Sequence, residues 1–117
     1  MSFSDILQEA LEQVRGAQLV GMISVDGLGV ELVATDGRDT TNAAMELGEV
    51  AAAISGAAQR LSSGHIRDFL LEAEQATYVA SQVMPGYYAV IVVGPQAHLG
   101  RVRFAVKQMA QRLQTEL

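Results

Sequence analysis

The sequence contains no cysteine. Disulfides, thiolate zinc sites, iron–sulfur clusters and cysteine nucleophiles are thereby excluded, which fits a cytoplasmic protein. Tryptophan is absent too, and aromatic residues make up only 5% of a chain that is 50% hydrophobic. A core must therefore be assembled from Ala, Val, Ile, Leu and Met. Basic residues are scarce: 8 Lys and Arg stand against 13 Asp and Glu, giving a formal net charge of −5. Nucleic-acid-binding domains concentrate basic residues in a stripe. Here the cations read as scattered, so nucleic acid is not an expected partner, and an anionic membrane surface is disfavoured for the same reason. Long apolar runs are also missing; the longest fall far short of the roughly 20 residues that span a bilayer. The N-terminal stretch "MSFSDILQEALEQVRG" has acids early and no long apolar segment, so a signal peptide is not expected.

What remains is 117 residues without a linker, a repeat or a low-complexity segment, the expectation for one domain over residues 1–117. Residues 3–15 read as a helix, with Ser4 as N-cap, Asp5 in the first turn and Gly16 as the stop. Residues 18–25 and 30–35 read as strands. A long Ala-rich helix follows over 40–62, capped by Thr40 or Thr41. Strands are predicted at 66–73, 76–83 and 87–93, the last being the most apolar and therefore central. A helix over 97–114 buries Leu99, Val102, Val106, Met109, Ala110 and Leu113. Short connections between neighbouring strands imply an antiparallel sheet. The fold class is α+β: a five-stranded antiparallel sheet flanked by three helices, in the order α-β-β-α-β-β-β-α.

Between the first two strands lies "VDGLGVELVA", residues 25–34. An Asp-Gly pair supplies positive φ at a hairpin corner. A phosphate loop would instead open a helix, whose amides and dipole would face the anion. Neither phosphate-binding glycine signature is present. These glycines shape a sheet and do not hold a nucleotide.

That corner, the Ala-rich second helix, the apolar fifth strand and the element order together resemble the roadblock family. Its members are dynein-light-chain-like small domains that regulate small GTPases. The resemblance covers nearly the whole chain and carries no catalytic signature. It implies a roadblock/profilin-like fold, dimerisation through the second helix and the neighbouring sheet edge, and a small Ras-like GTPase as partner. Some family members resemble GTPase-activating proteins that order the GTPase's own catalytic groups; others look like exchange-factor or scaffold subunits.

Candidate chemistry is thin. His65 and His98 lie far apart with no ligand pattern around either. Glu46 and Glu49 are neighbours on the long helix, and Glu72 and Glu74 share a strand face, but neither pair has a third ligand. No catalytic residue, cofactor or metal is expected.

The long helix says more. On a helical wheel Ala43, Ala44, Leu47, Val50, Ala51, Ile54, Ala58 and Leu61 gather into a sheet-facing stripe. The opposite strip, Met45, Gly48, Ala52, Gly56 and Gln59, is small and weakly charged, edged by Glu49 and Arg60. Each mid-helix glycine costs about 1 kcal/mol relative to Ala. Close approach of another helix explains them. In "IRDFLLEA" the third strand carries Phe69 and Leu71 on one face and Leu70 on the other, after Arg67. An edge strand apolar on both faces makes sense when a second copy covers it. The expected reading is a non-enzymatic homodimer that binds a Ras-like GTPase. Its candidate contact residues are Met45, Gly48, Glu49, Ala52, Gly56, Gln59, Arg67, Phe69 and Leu71. The alternative is a small-molecule sensor of PAS or profilin-like architecture, which calls for a roomy pocket with convergent polar groups.

Overall fold

The structure, a computed structural model, describes residues 2–26 and 31–117. The hairpin corner expected at residues 26–29 lies, apart from Asp26, outside the described residues. Eight elements follow the order read from the sequence: α1 (Phe3–Gln13), β1 (Ala17–Ser24), β2 (Glu31–Ala34), α2 (Thr41–Arg60), β3 (Asp68–Glu72), β4 (Thr77–Met84), β5 (Tyr87–Val93) and α3 (Leu99–Thr115). They form the five-stranded, antiparallel, roadblock-like α+β fold expected.

The strands are ordered β2-β1-β5-β4-β3, so β5 is central and β2 and β3 are the edges. Strand alternation splits the core into two layers. Val20, Met22, Val79, Ala89, Ile91 and Val93 meet α1 and α3 on one side. Leu19, Ile23, Leu32, Ala80, Val90 and Val92 meet α2 on the other. A strand covered on both faces shows no polar–apolar alternation, which is why β5 reads as an unbroken apolar run.

Several helix ends differ from expectation. Ser2, not Ser4, caps α1: the Asp5 amide donates to Ser2 Oγ and the Ser2 amide donates back to Asp5 Oδ2, both at 3.2 Å. The reciprocal pair needs an acceptor three residues after the cap, and Ser2 has one in Asp5. The Ser2 side chain, and then the Ser2 amide, hold the Asp5 carboxyl below its ordinary pKa. Ser4 instead donates its hydroxyl to Glu31 Oε1. At α2, Thr40 holds the cap position but its hydroxyl donates to the Leu32 carbonyl, tying the helix start to β2. Asp39 Oδ1 takes the Thr41 amide and hydroxyl, which keeps its carboxyl below the usual range.

The long helix also closes earlier than expected. Leu61, expected in the sheet-facing stripe, is the C-cap of α2 and 77% exposed. Ser62 adopts φ +58°, its amide donates to Gln59, and the Ser63 amide reaches back to the Ala58 carbonyl. That is a Schellman closure with serine in the left-handed position. The remaining stripe is confirmed at Leu47, Ala51 and Ala58, which are buried, while Val50 and Ile54 are half-buried.

Candidate self-association face

The three helices divide unequally between the faces of the sheet. α1 packs on β1 and β2, and α3 on β4 and β5, sharing one face; α2 lies alone on the other, closest to β1 and β2. On the α2 side, the β3–β4 end of the sheet therefore depends on fewer neighbours. Phe69, Ala76 and Tyr78 are only partly buried there.

The edge strand β3 pairs through β4 alone, with Asp68 opposite Ser81 and Glu72 opposite Thr77. Among the described residues its outer backbone row has no strand partner. Phe69 is half-buried on the α2 side, its ring meeting Tyr88 edge-on at a centroid distance of 5.7 Å. The Tyr88 hydroxyl donates to the Ile66 carbonyl at 3.0 Å and fixes the path of the chain into β3. Leu70 and Leu71 point to opposite faces and are 43% and 44% exposed. Arg67, also exposed, lies just before the strand, and its carbonyl accepts the Gln82 amide.

On α2 the residues of the expected outer strip are placed unevenly. Met45, Glu49, Ala52 and Gln59 are exposed, Met45 by 55%. Gly56 is half-buried, and a Cβ there would meet only the far end of the Arg60 side chain, at 3.2 Å. Gly48 is buried and does not share the exposed strip. The strip is thus Met45, Glu49, Ala52, Gly56 and Gln59. It lies on the same side of the sheet as Phe69 and Leu71, although α2 makes no close backbone contact with β3.

Nothing in this arrangement gathers acid–base chemistry. Among the described residues no group of three or more His, Asp or Glu could hold a metal. His65 is exposed in the loop after α2. His98 is the N-cap of α3, where its ring Nδ1 accepts the Arg101 amide. Glu46 and Glu49 are both exposed, and Glu74 lies in the turn beyond β3 rather than on the strand with Glu72. What the face offers is apolar side chains beside an open strand edge.

No family model and no curated protein matches the sequence. Solved structures match over nearly its whole length. MglC from Myxococcus xanthus is 25% identical, with a TM-score of 0.72 and 100% of both chains covered. The gliding protein MglB from Thermus thermophilus is 19% identical, with a TM-score of 0.81 over 97% of this chain and 86% of that one. A further MglB structure shows a tetrameric arrangement. The Roadblock/LC7 domain from Streptomyces avermitilis is 16% identical, with a TM-score of 0.78 over 98% and 97% of the two chains. The chain is a roadblock-type domain by fold. Its structural neighbours include the MglB and MglC proteins.

Proposed function

We propose that residues 1–117 form one roadblock-type domain that acts in the cytoplasm as a homodimer and regulates a small Ras-like GTPase by binding it, without chemistry of its own. The β3 edge carries this reading. A strand with an open backbone row and Leu70 and Leu71 both more than two-fifths exposed is a poor end for a sheet in water and a good seam between two copies. Antiparallel pairing of β3 with its two-fold mate continues the sheet and supplies the absent cover. The exposed strip of α2 offers a second contact on the same side of the sheet, where small side chains at Ala52 and Gly56 let another helix axis come close. The likeness to the MglB fold, solved in a tetrameric arrangement, supports self-association. The roadblock-type fold shared with MglB and MglC supports the role beside a small GTPase that the family resemblance implies. Such a regulator contributes by binding the GTPase, since no phosphate-binding loop signature is present in its own sequence.

The test has two readouts. Light scattering on the purified protein should give twice the 12.5 kDa chain mass at micromolar concentration. Adding the protein to Ras-like GTPases from the same cell should change the single-turnover GTP hydrolysis rate or the nucleotide-release rate of one of them. A monomer at high concentration removes the dimer. Absence of both binding and rate change across those GTPases removes the regulatory role.

A further inference from the structure

The basic residues that look scattered along the sequence gather once the chain folds. α3 spans residues 99–115 and holds Arg101, Arg103, Lys107 and Arg112 with no acidic residue among them. That is four of the 8 basic residues, leaving four to face all 13 acidic ones elsewhere. Two of the α3 cations are already engaged within the chain. Lys107 Nζ lies 3.4 Å from Asp68 and Arg112 Nη2 lies 2.7 Å from Glu9. Arg101 and Arg103 have no ion pair among the described residues.

Between these cations stands Phe104, 65% exposed and outside both core clusters. The other five aromatic residues, Phe3, Phe69, Tyr78, Tyr87 and Tyr88, are half-buried or buried. Arg101, Phe104 and Lys107 fall three residues apart and so follow one another along the outer face of the helix. Opposite them run Val102, Val106, Met109 and Leu113, which pack on the sheet. Phe104 therefore contributes nothing to the core and presents an apolar ring to water. On the β3 flank of the helix, a groove of about 260 Å³ is lined by Leu70, Val79 and Val106, by Arg103 and Lys107 from α3, and by Asp68, the ion-pair partner of Lys107. It is smaller than a typical small-molecule pocket, at the scale of an inserted side chain.

We propose that this face of α3, centred on Phe104 and bordered by Arg101, Arg103 and Lys107, docks an acidic segment of a partner protein that brings an apolar side chain to the ring and carboxylates to the guanidinium groups. Aromatic and arginine side chains are the residues that dominate binding energy at protein interfaces. Opposite charge at the rim speeds encounter and fixes register. A polyphosphate or an anionic bilayer fits less well, because each would meet four cations, two of them already paired, within a chain of net negative charge. The face lies on the side of the sheet opposite α2, so it stays open whether or not two copies associate through α2 and β3. Strand pairing uses in-plane backbone groups and so does not occupy the groove between β3 and α3.

The experiment uses two fluorescent amphipathic peptides, one with a leucine row flanked by glutamates and one with lysines in place of the glutamates, titrated with the full chain and followed by anisotropy. Saturable micromolar binding of the glutamate peptide, none of the lysine peptide, and weakening with added salt are expected. Phe104→Ala should weaken binding about tenfold, as loss of an interface anchor does. Arg101→Glu with Arg103→Glu should abolish it, while circular dichroism and light-scattering mass stay as in the parent. Absence of saturable binding by the glutamate peptide overturns the proposal, as does unchanged affinity in the Phe104→Ala variant. Equally tight binding to vesicles of phosphatidylserine and phosphatidylcholine in equal parts overturns it too, by showing a membrane face instead.

Discussion

The guanidinium of Arg112 donates to Glu9 Oε2 at 2.7 Å, tying the last helix to the first across 103 residues of chain. Gln13 supports the same carboxylate from one turn away, at 3.2 Å. The Arg112 hydrogen bond is the main reason that the Glu9 carboxyl sits below its ordinary value of 4.5. A carboxyl with a lowered folded-state pKa stabilises the fold fully above its unfolded value and loses that contribution as pH falls through the folded value. Glu9→Gln should therefore melt below the parent at neutral pH, and the gap should close as pH falls below 4.5. Thermal melts of both proteins across that range check it. A gap that persists unchanged in acid would assign the difference to packing.

Gly21 sits in the middle of β1 opposite Leu32. A Cβ there would run into the Glu31 carbonyl oxygen and the Leu32 side chain, and would lie 2.8 Å from the Leu32 Cα. The obstacle is largely backbone, so it cannot swing aside. Gly21→Ala should cost about 1–3 kcal/mol or more, as overpacking does, and should loosen the β1–β2 pairing first. Urea unfolding gives the first quantity. Faster amide exchange in β2 than in β5 gives the second.

The element order is legible in the sequence because each element carries its own period. β5 is a run of apolar residues and α3 repeats Val102, Val106, Met109 and Leu113. What the sequence conceals follows from tertiary placement. A helical wheel puts Leu61 on the sheet side, but the left-handed Ser62 ends the helix and turns Leu61 out to water. The wheel likewise assigns Gly48 to the outer strip, yet Gly48 is buried. A wheel gives angles only and cannot tell where along its length a helix leaves the sheet. Phe104 does carry a local signal: on the α3 wheel it falls opposite the buried stripe. The isolation of α2 on its face is not written in any local pattern, since it depends on the strand order.

Ser62 pays for its left-handed φ of +58°. For a residue with a Cβ that conformation costs roughly 1–2 kcal/mol, while glycine adopts it freely but loses more backbone entropy on folding. Ser62→Gly should stabilise the fold by up to about 1 kcal/mol, the net of these two terms. Its hydroxyl takes no part in the closure, which is made by backbone amides. Denaturant titration should show a higher midpoint with an unchanged slope. A lower midpoint would show that the serine side chain matters to the loop that follows α2.

Two substitutions on α2 separate folding from association. Ala52 is exposed, so Ala52→Glu touches no core contact in the isolated chain and should leave circular dichroism and monomer folding within the range of ordinary surface changes. If the strip meets a second helix, the new carboxylate must be buried without a partner at a cost of several kcal/mol, enough to dissociate a micromolar dimer. Gly56→Ala works the other way. Its Cβ would meet only the end of Arg60, and alanine favours the helix by up to about 1 kcal/mol, so the monomer should become more stable. Against a closely packed second helix the same methyl group has no room, and the dimer should weaken while the fold strengthens. Light scattering across a dilution series, read beside chemical denaturation at a concentration where the chain is monomeric, gives both quantities. Mass loss in Ala52→Glu together with opposite shifts in Gly56→Ala is the expected pattern. Full dimers in both variants would take α2 out of the interface and leave the β3 edge, at Phe69, Leu70 and Leu71, as the seam.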